Sequence, residues 1–144
     1  MDVRIAEPVA SSAPFVAPAL AERVRAYAGG HDEPLMLEAL DISVPIVVRV
    51  VREGDASQGT AIEIGAERNA ALFPVFQGTV RAEPTGPLNS NLVLEGTYTV
   101  PLGLIGAAAD RTVLADVARA SLQRFLTRMK DEVSMDVLRR DTAG

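Results

Sequence analysis

The sequence predicts an α+β domain in which a twisted antiparallel β-sheet packs its apolar face on one long C-terminal α-helix. Two observations carry that reading. From Leu35 to Val100 the hydrophobic period is two, in runs that follow one another across short turns with no helix between them. From about Arg111 to Val133 the period becomes three and four, on a stretch long enough to cross a small sheet.

The elements follow in order. Asp2 to Glu7 alternates, with Val3 and Ile5 on one side, and reads as a short strand. Pro8 to Pro18 is rich in Pro, Ser and Ala and reads as a connection. A helix is predicted from Pro18, because proline is tolerated in a first turn and Leu20, Val24 and Tyr27 share a face. Gly29 and Gly30 end it, glycine being the residue that most readily leaves a helix through the left-handed conformation. Leu35 to Leu40 alternates again. Ile42 to Arg52 is dense in β-branched residues, with Pro45 near its start or on an edge. Glu53 to Gly59 is a turn before Thr60–Ile64. Leu72 to Ala82 forms the next strand, and Pro84-Thr85-Gly86-Pro87 a turn by composition. In the last strand Leu92, Leu94, Gly96, Tyr98 and Val100 face one way, and Asn91, Val93, Glu95, Thr97 and Thr99 the other.

After a bend at Leu102–Gly106, Leu114, Val117, Ser121, Leu122, Phe125 and Met129 make an apolar stripe. The helix that carries it is predicted to end near Val133, giving about 35 Å at 1.5 Å per residue. Arg111, Arg119, Arg124, Arg128 and Lys130 lie largely off the stripe and read as a solvated face. Residues 1–136 read as a single domain and 137–144 as a flexible tail.

Composition removes several functions. The chain has 144 residues, 48% hydrophobic and 23% charged, as an ordinary globular domain does. Nineteen acidic against fourteen basic side chains give a net charge of −5, which argues against nucleic acid as a partner. No cysteine is present, so disulfides, thiolate metal sites and a cysteine nucleophile are excluded together. Asp2, Arg4, Glu7, Pro8, Ser11, Ser12 and Pro14 interrupt any signal-peptide core. The apolar run from Val100 to Ala109 is too short to span a bilayer. A soluble, cytoplasmic protein with no integral membrane segment is the expectation.

Catalytic candidates are few. His31, the single histidine, sits between Gly30 and Asp32 in an expected loop and reads as solvated. One histidine without cysteine is a poor start for zinc, so no metal and no cofactor is expected. Glu63 and Glu67 share the face opposite Ile62 and Ile64, which places these carboxylates on the sheet exterior rather than in an acid–base pair. Glu95 points away from Leu94 and reads as exposed. Gly103-Leu104-Ile105-Gly106 lacks the lysine of a phosphate loop and reads as a tight bend. No Gly-x-Ser-x-Gly elbow occurs, and no catalytic residue is assigned. Among the six aromatics, Phe73, Phe76 and Tyr98 fall on the strand that opens at Leu72 and on the last strand. They divide evenly between core packing and cavity lining, and a phenol buried there needs a hydrogen-bond partner that a ligand can supply.

Leu72-Phe73-Pro74-Val75-Phe76-Gln77-Gly78, then Leu94-Glu95-Gly96-Thr97-Tyr98-Thr99-Val100-Pro101-Leu102-Gly103-Leu104-Ile105-Gly106, then Asp110-Arg111 and Val117-Ala118 in the helix, together resemble an uncharacterised bacterial branch of the START-like (SRPBCC) superfamily. That superfamily includes polyketide cyclases, lipid-transfer domains and pollen-allergen proteins. The resemblance spans about Ile42 to Met129. It departs in having no tryptophan on the Ile62–Gly65 strand and one proline, Pro101, where the branch often has two. It implies a helix-grip fold, a curved antiparallel β-sheet wrapped around the long C-terminal α-helix, with an apolar cavity between them.

The function expected is binding of a small, mostly apolar ligand, lipid-like or polyketide and aromatic, lined by Phe73, Phe76, Tyr98, Leu114, Val117 and Ser121. Tyr98 and Ser121 would orient a polar end. The alternatives are a cyclase- or dehydratase-like enzyme on a polyketide or aromatic precursor, and an interaction domain with a collapsed core. A homodimer is compatible with the sequence.

Overall fold

The computed structural model describes residues 2–29, 35–39, 42–54, 58–66, 75–99 and 111–143. Six strands, β1 (Asp2–Val9), β2 (Leu35–Ala39), β3 (Ile42–Glu53), β4 (Thr60–Ala66), β5 (Val75–Gly86) and β6 (Asn89–Thr99), form one antiparallel sheet. Its order is β1-β6-β5-β4-β3-β2, so the first strand pairs with the last and the five others form a meander. Among the described residues two helices, α1 (Ala13–Ala28) and α2 (Arg111–Ala143), pack on the sheet and on each other. This is the α+β helix-grip architecture that the sequence predicts.

Register makes the inner face legible as rows. Val48, Ile64, Phe76 and Tyr98 lie side by side across four strands. The next row is Val50, Ile62, Gly78, Gly96 and Val3. Thr60, Val80, Leu94 and Ile5 follow, then Ala82, Leu92 and Glu7. Side chains alternate faces along a strand, so these rows inherit the period-two apolar set. Against them pack Val16, Ala19, Leu20, Val24 and Tyr27 of α1, and Leu122, Phe125, Leu126, Met129 and Val133 of α2. Val80, Leu92, Leu94, Leu126, Met129 and Val133 are fully buried in this core, as are Phe76, Ile62 and Val48.

Three boundaries differ from the sequence reading. Helix α1 starts at Ala13 rather than Pro18, with Ser12 O accepting from Phe15 N and Val16 N. Burial of Val16 one turn earlier extends the packed stripe, and Pro18 is accommodated because it faces solvent. At its other end Gly29 has φ −79° and ψ 0°, so the helix stops on a right-handed residue and not a left-handed one.

The turn expected at Pro84–Pro87 moves outward, because β5 runs through Gly86 and turns at Pro87 and Leu88. Among the described residues strand β4 pairs with β5 only as far as Thr60 opposite Val80, so Pro84 lies beyond that pairing, where a proline costs no ladder bond to β4. Helix α2 continues ten residues past Val133, through the segment expected to be a flexible tail. There Asp136 binds Arg23, Val137 packs on the core and Arg140 pairs with Glu22. Those contacts hold a polar-looking segment in helix.

Candidate functional site between the sheet and the C-terminal helix

Phe76 and Tyr98 are direct register partners on the inner face, and both are buried. Ile64 and Val48 continue their row, so the wall beside Tyr98 is apolar over four strands. The adjoining row has no side chain at Gly78 and Gly96, which face each other. A Cβ on Gly78 would sit 2.7 Å from Phe76 Cζ, so the Phe76 ring leans over the bare backbone. A Cβ on Gly96 would sit 2.2 Å from Gln77 O. Only glycine allows that approach.

Ser121 is one of three buried polar residues among those described, with 5% of its surface exposed. It lies on α2 just before the packed run Leu122–Val133. Leu114 and Val117 fall in the first turns of the same helix, and Phe73 lies outside the described residues. His31, Glu67 and the Gly103–Gly106 bend also lie outside them. The structure thus pairs Phe76 with Tyr98 and buries Ser121.

The electrostatics of Tyr98 limit its chemistry. Burial pushes its phenol well above the ordinary value of 10.0. Such a group stays protonated at neutral pH and serves as a fixed hydrogen-bond partner, whereas an efficient acid–base catalyst has a pKa near the working pH. Among the described residues the row neighbours of Tyr98, Val48, Ile64 and Phe76, add no carboxylate or imidazole. Glu63, on the other face, pairs with Arg49 at 4.0 Å and accepts from Gln77 Nε2 at 3.1 Å, and Glu95 lies 3.5 Å from Arg4. Both take the exterior role expected of them. Among the described residues no group of three His, Asp or Glu side chains is placed to hold a metal. No described helix is long and apolar enough to cross a membrane.

Two polar constellations escaped the sequence reading. Glu7 follows Val3 and Ile5 on the inner side of β1, where its Oε1 accepts from Thr127 Oγ1 at 2.9 Å and from Gln123 Nε2. The alternation of β1 carried this signal, since position 7 shares the face of positions 3 and 5. It sits opposite Leu92, about 20 Å along the strand from Tyr98 at about 3.3 Å per residue. The second is Tyr27, whose hydroxyl donates to Glu132 Oε2 at 2.5 Å. Glu132 also receives Arg128 at 3.1 Å and lies 3.4 Å from Arg23, which binds Asp136 at 2.6 Å. No sequence pattern linked Arg23 and Tyr27 to Asp136 and Glu132, which lie more than a hundred positions away. Each carboxylate is engaged with its neighbours, and both clusters fasten α2 in place.

No family model matches the chain, and no curated protein matches it by sequence. Solved structures do match by fold. A conserved protein from Geobacillus kaustophilus superposes with a TM-score of 0.60 at 12% identity, over 94% of this chain and 96% of that one. A norcoclaurine synthase point mutant from Thalictrum flavum, in complex with a transition-state analogue, gives 0.56 at 12% identity, over 98% and 96%. An aromatase/cyclase from Streptomyces gives 0.51 at 17% identity, over 97% and 94%. The fold is the helix-grip fold. At these identities the likeness is one of fold alone.

Proposed function

We propose that the protein belongs to the START-like superfamily and binds a small, mostly apolar molecule between the inner face of the sheet and the first half of α2. The observation that carries this reading is the apolar row Val48–Ile64–Phe76–Tyr98, which ends in a buried, protonated phenol beside the bare Gly78–Gly96 pair. Apolar walls provide affinity at roughly 25 cal/mol per Å² removed from water, and Tyr98 and Ser121 orient the polar end. Phe73, Leu114 and Val117 complete the proposed lining. The ligand is lipid-like or a polyketide or aromatic compound, and the setting is a bacterial cytoplasm.

A cyclase- or dehydratase-like reaction is the second reading, favoured by fold likeness to an aromatase/cyclase and a norcoclaurine synthase. It asks for a titratable group facing Tyr98, and the described row offers none.

Native mass spectrometry of the purified protein, followed by extraction and identification of any adduct, tests the proposal. A stoichiometric apolar adduct whose occupancy falls in Tyr98→Phe, with the fold retained, is the expected result. Unchanged occupancy in that variant would remove the orienting role of Tyr98. A protein that stays free of adduct and takes up no hydrophobe would favour a collapsed core.

A further inference from the structure

A groove at the opposite end of the molecule has its own chemistry. It lies between the start of α1, the β5–β6 turn and the end of α2, with a volume of about 410 Å³, within the size range of small-molecule sites. Phe15, Pro18, Leu88 and Val137 give it an apolar lining. Two of these are large side chains left in water, Phe15 at 66% exposure and Leu88 at 75%. A leucine at the tip of a tight turn satisfies no demand of the turn, where Gly, Asn or Asp is the usual choice. Contiguous apolar surface of this kind marks a place where something docks.

The polar groups of the groove indicate what docks there. Among the described residues Arg140 is its one charged lining residue, in a chain with five more acidic than basic side chains. Its guanidinium pairs with Glu22 and is 42% exposed, so the fork of five donors retains room for a second acceptor. Ser11 and Ser12 line the same groove, and the Ser12 side chain makes no capping bond to α1. A cation and hydroxyls at the rim of an apolar trough match a carboxylate attached to a hydrocarbon chain. We infer that this groove binds a free, monomeric acyl carboxylate of medium chain length, with the chain against Phe15, Leu88 and Val137 and the carboxylate at Arg140. The assignment is independent of ligand binding at Tyr98.

Titrating the full chain with decanoate, below its micelle concentration, and following backbone amide shifts by NMR tests this. Ser11, Ser12, Leu88 and Val137 should shift together and saturate. Leu88→Asn, at an exposed position, should weaken decanoate about tenfold or more while leaving the spectrum otherwise native. Arg140→Gln should weaken decanoate roughly three- to tenfold and leave decanol unaffected. Shifts confined to Phe76, Tyr98 and Ser121 would assign the ligand to the sheet site and overturn this one. Equal response to decanol and decanoate, insensitive to Arg140, would overturn the carboxylate assignment. Binding to anionic vesicles without binding to monomeric decanoate would replace it with a membrane contact.

Discussion

Tyr27 Oη donates to Glu132 Oε2 at 2.5 Å, a bond that joins the last turn of α1 to the second half of α2. The Tyr27 ring packs at 5.9 Å from that of Phe125, so one residue contributes both an apolar and a polar contact to the helix pair. Around it Arg23 holds Asp136 through two nitrogens, at 2.6 to 3.1 Å, and Arg128 holds Glu132. The two helices are thereby locked in one register.

Tyr27→Phe should keep the ring packing and destabilise the fold by about 1.5–3 kcal/mol, the range for a hydrogen bond to a charged group. In a double-mutant cycle with Glu132→Ala, which removes the acceptor, urea denaturation should show a coupling above about 0.5 kcal/mol. Strict additivity would show that the bond is not formed in solution.

Asp136→Ala removes the bidentate partner of Arg23, leaving that half-buried guanidinium with Glu132 at 3.4 Å. A cost of about 1–3 kcal/mol is expected, between the exposed and buried limits for ion pairs. Thermal melting measures it. No change would mean that the Arg23–Asp136 pair contributes nothing measurable to stability.

The two tyrosines predict an alkaline response. Burial raises both phenols above 10.0, and the carboxylate of Glu132 raises Tyr27 further. A folded pKa above the unfolded one means that the protonated form is favoured by folding. That stabilisation is whole below about pH 10 and declines as pH rises beyond it. Tyrosinate absorbance should therefore stay absent in the native protein past pH 10 and appear together with unfolding. An ordinary titration near pH 10 in a folded protein would contradict the burial of these hydroxyls.

Glycine substitutions separate the two faces of the sheet. Gly96→Ala brings a methyl to 2.2 Å from Gln77 O, and Gly78→Ala brings one to 2.2 Å from Glu95 O. Each should cost about 1–3 kcal/mol through forced backbone shifts. Gly65→Ala has nothing within 4 Å and should be neutral or stabilising by a few tenths. Equal denaturation midpoints for all three would show that β5 and β6 do not approach closely.

Local pattern determined much of this molecule. Alternation from Val3 to Ile5 and from Leu92 to Tyr98, and the three-and-four spacing of Leu122, Phe125 and Met129, are written residue by residue. They predicted strands, helix and inner faces, and Phe76, Tyr98 and Ser121 are buried as that reading requires. A meander of consecutive strands also follows from short turns.

Other features depend on which distant segments meet. β1 closes the sheet against β6 with Val3 opposite Gly96, a pairing that no local signal encodes. Val93, on the outer face by alternation, is nonetheless fully buried, because Ala6 and Arg81 flank it and Arg81 turns its charge toward Glu83 and Glu95. Helix α2 outruns its apolar stripe because Arg23 and Glu22, on a helix more than a hundred residues earlier, supply partners for Asp136 and Arg140. Periodicity records which face a side chain takes. The tertiary structure decides what lies opposite that face, because charge pairing and burial depend on distance in space.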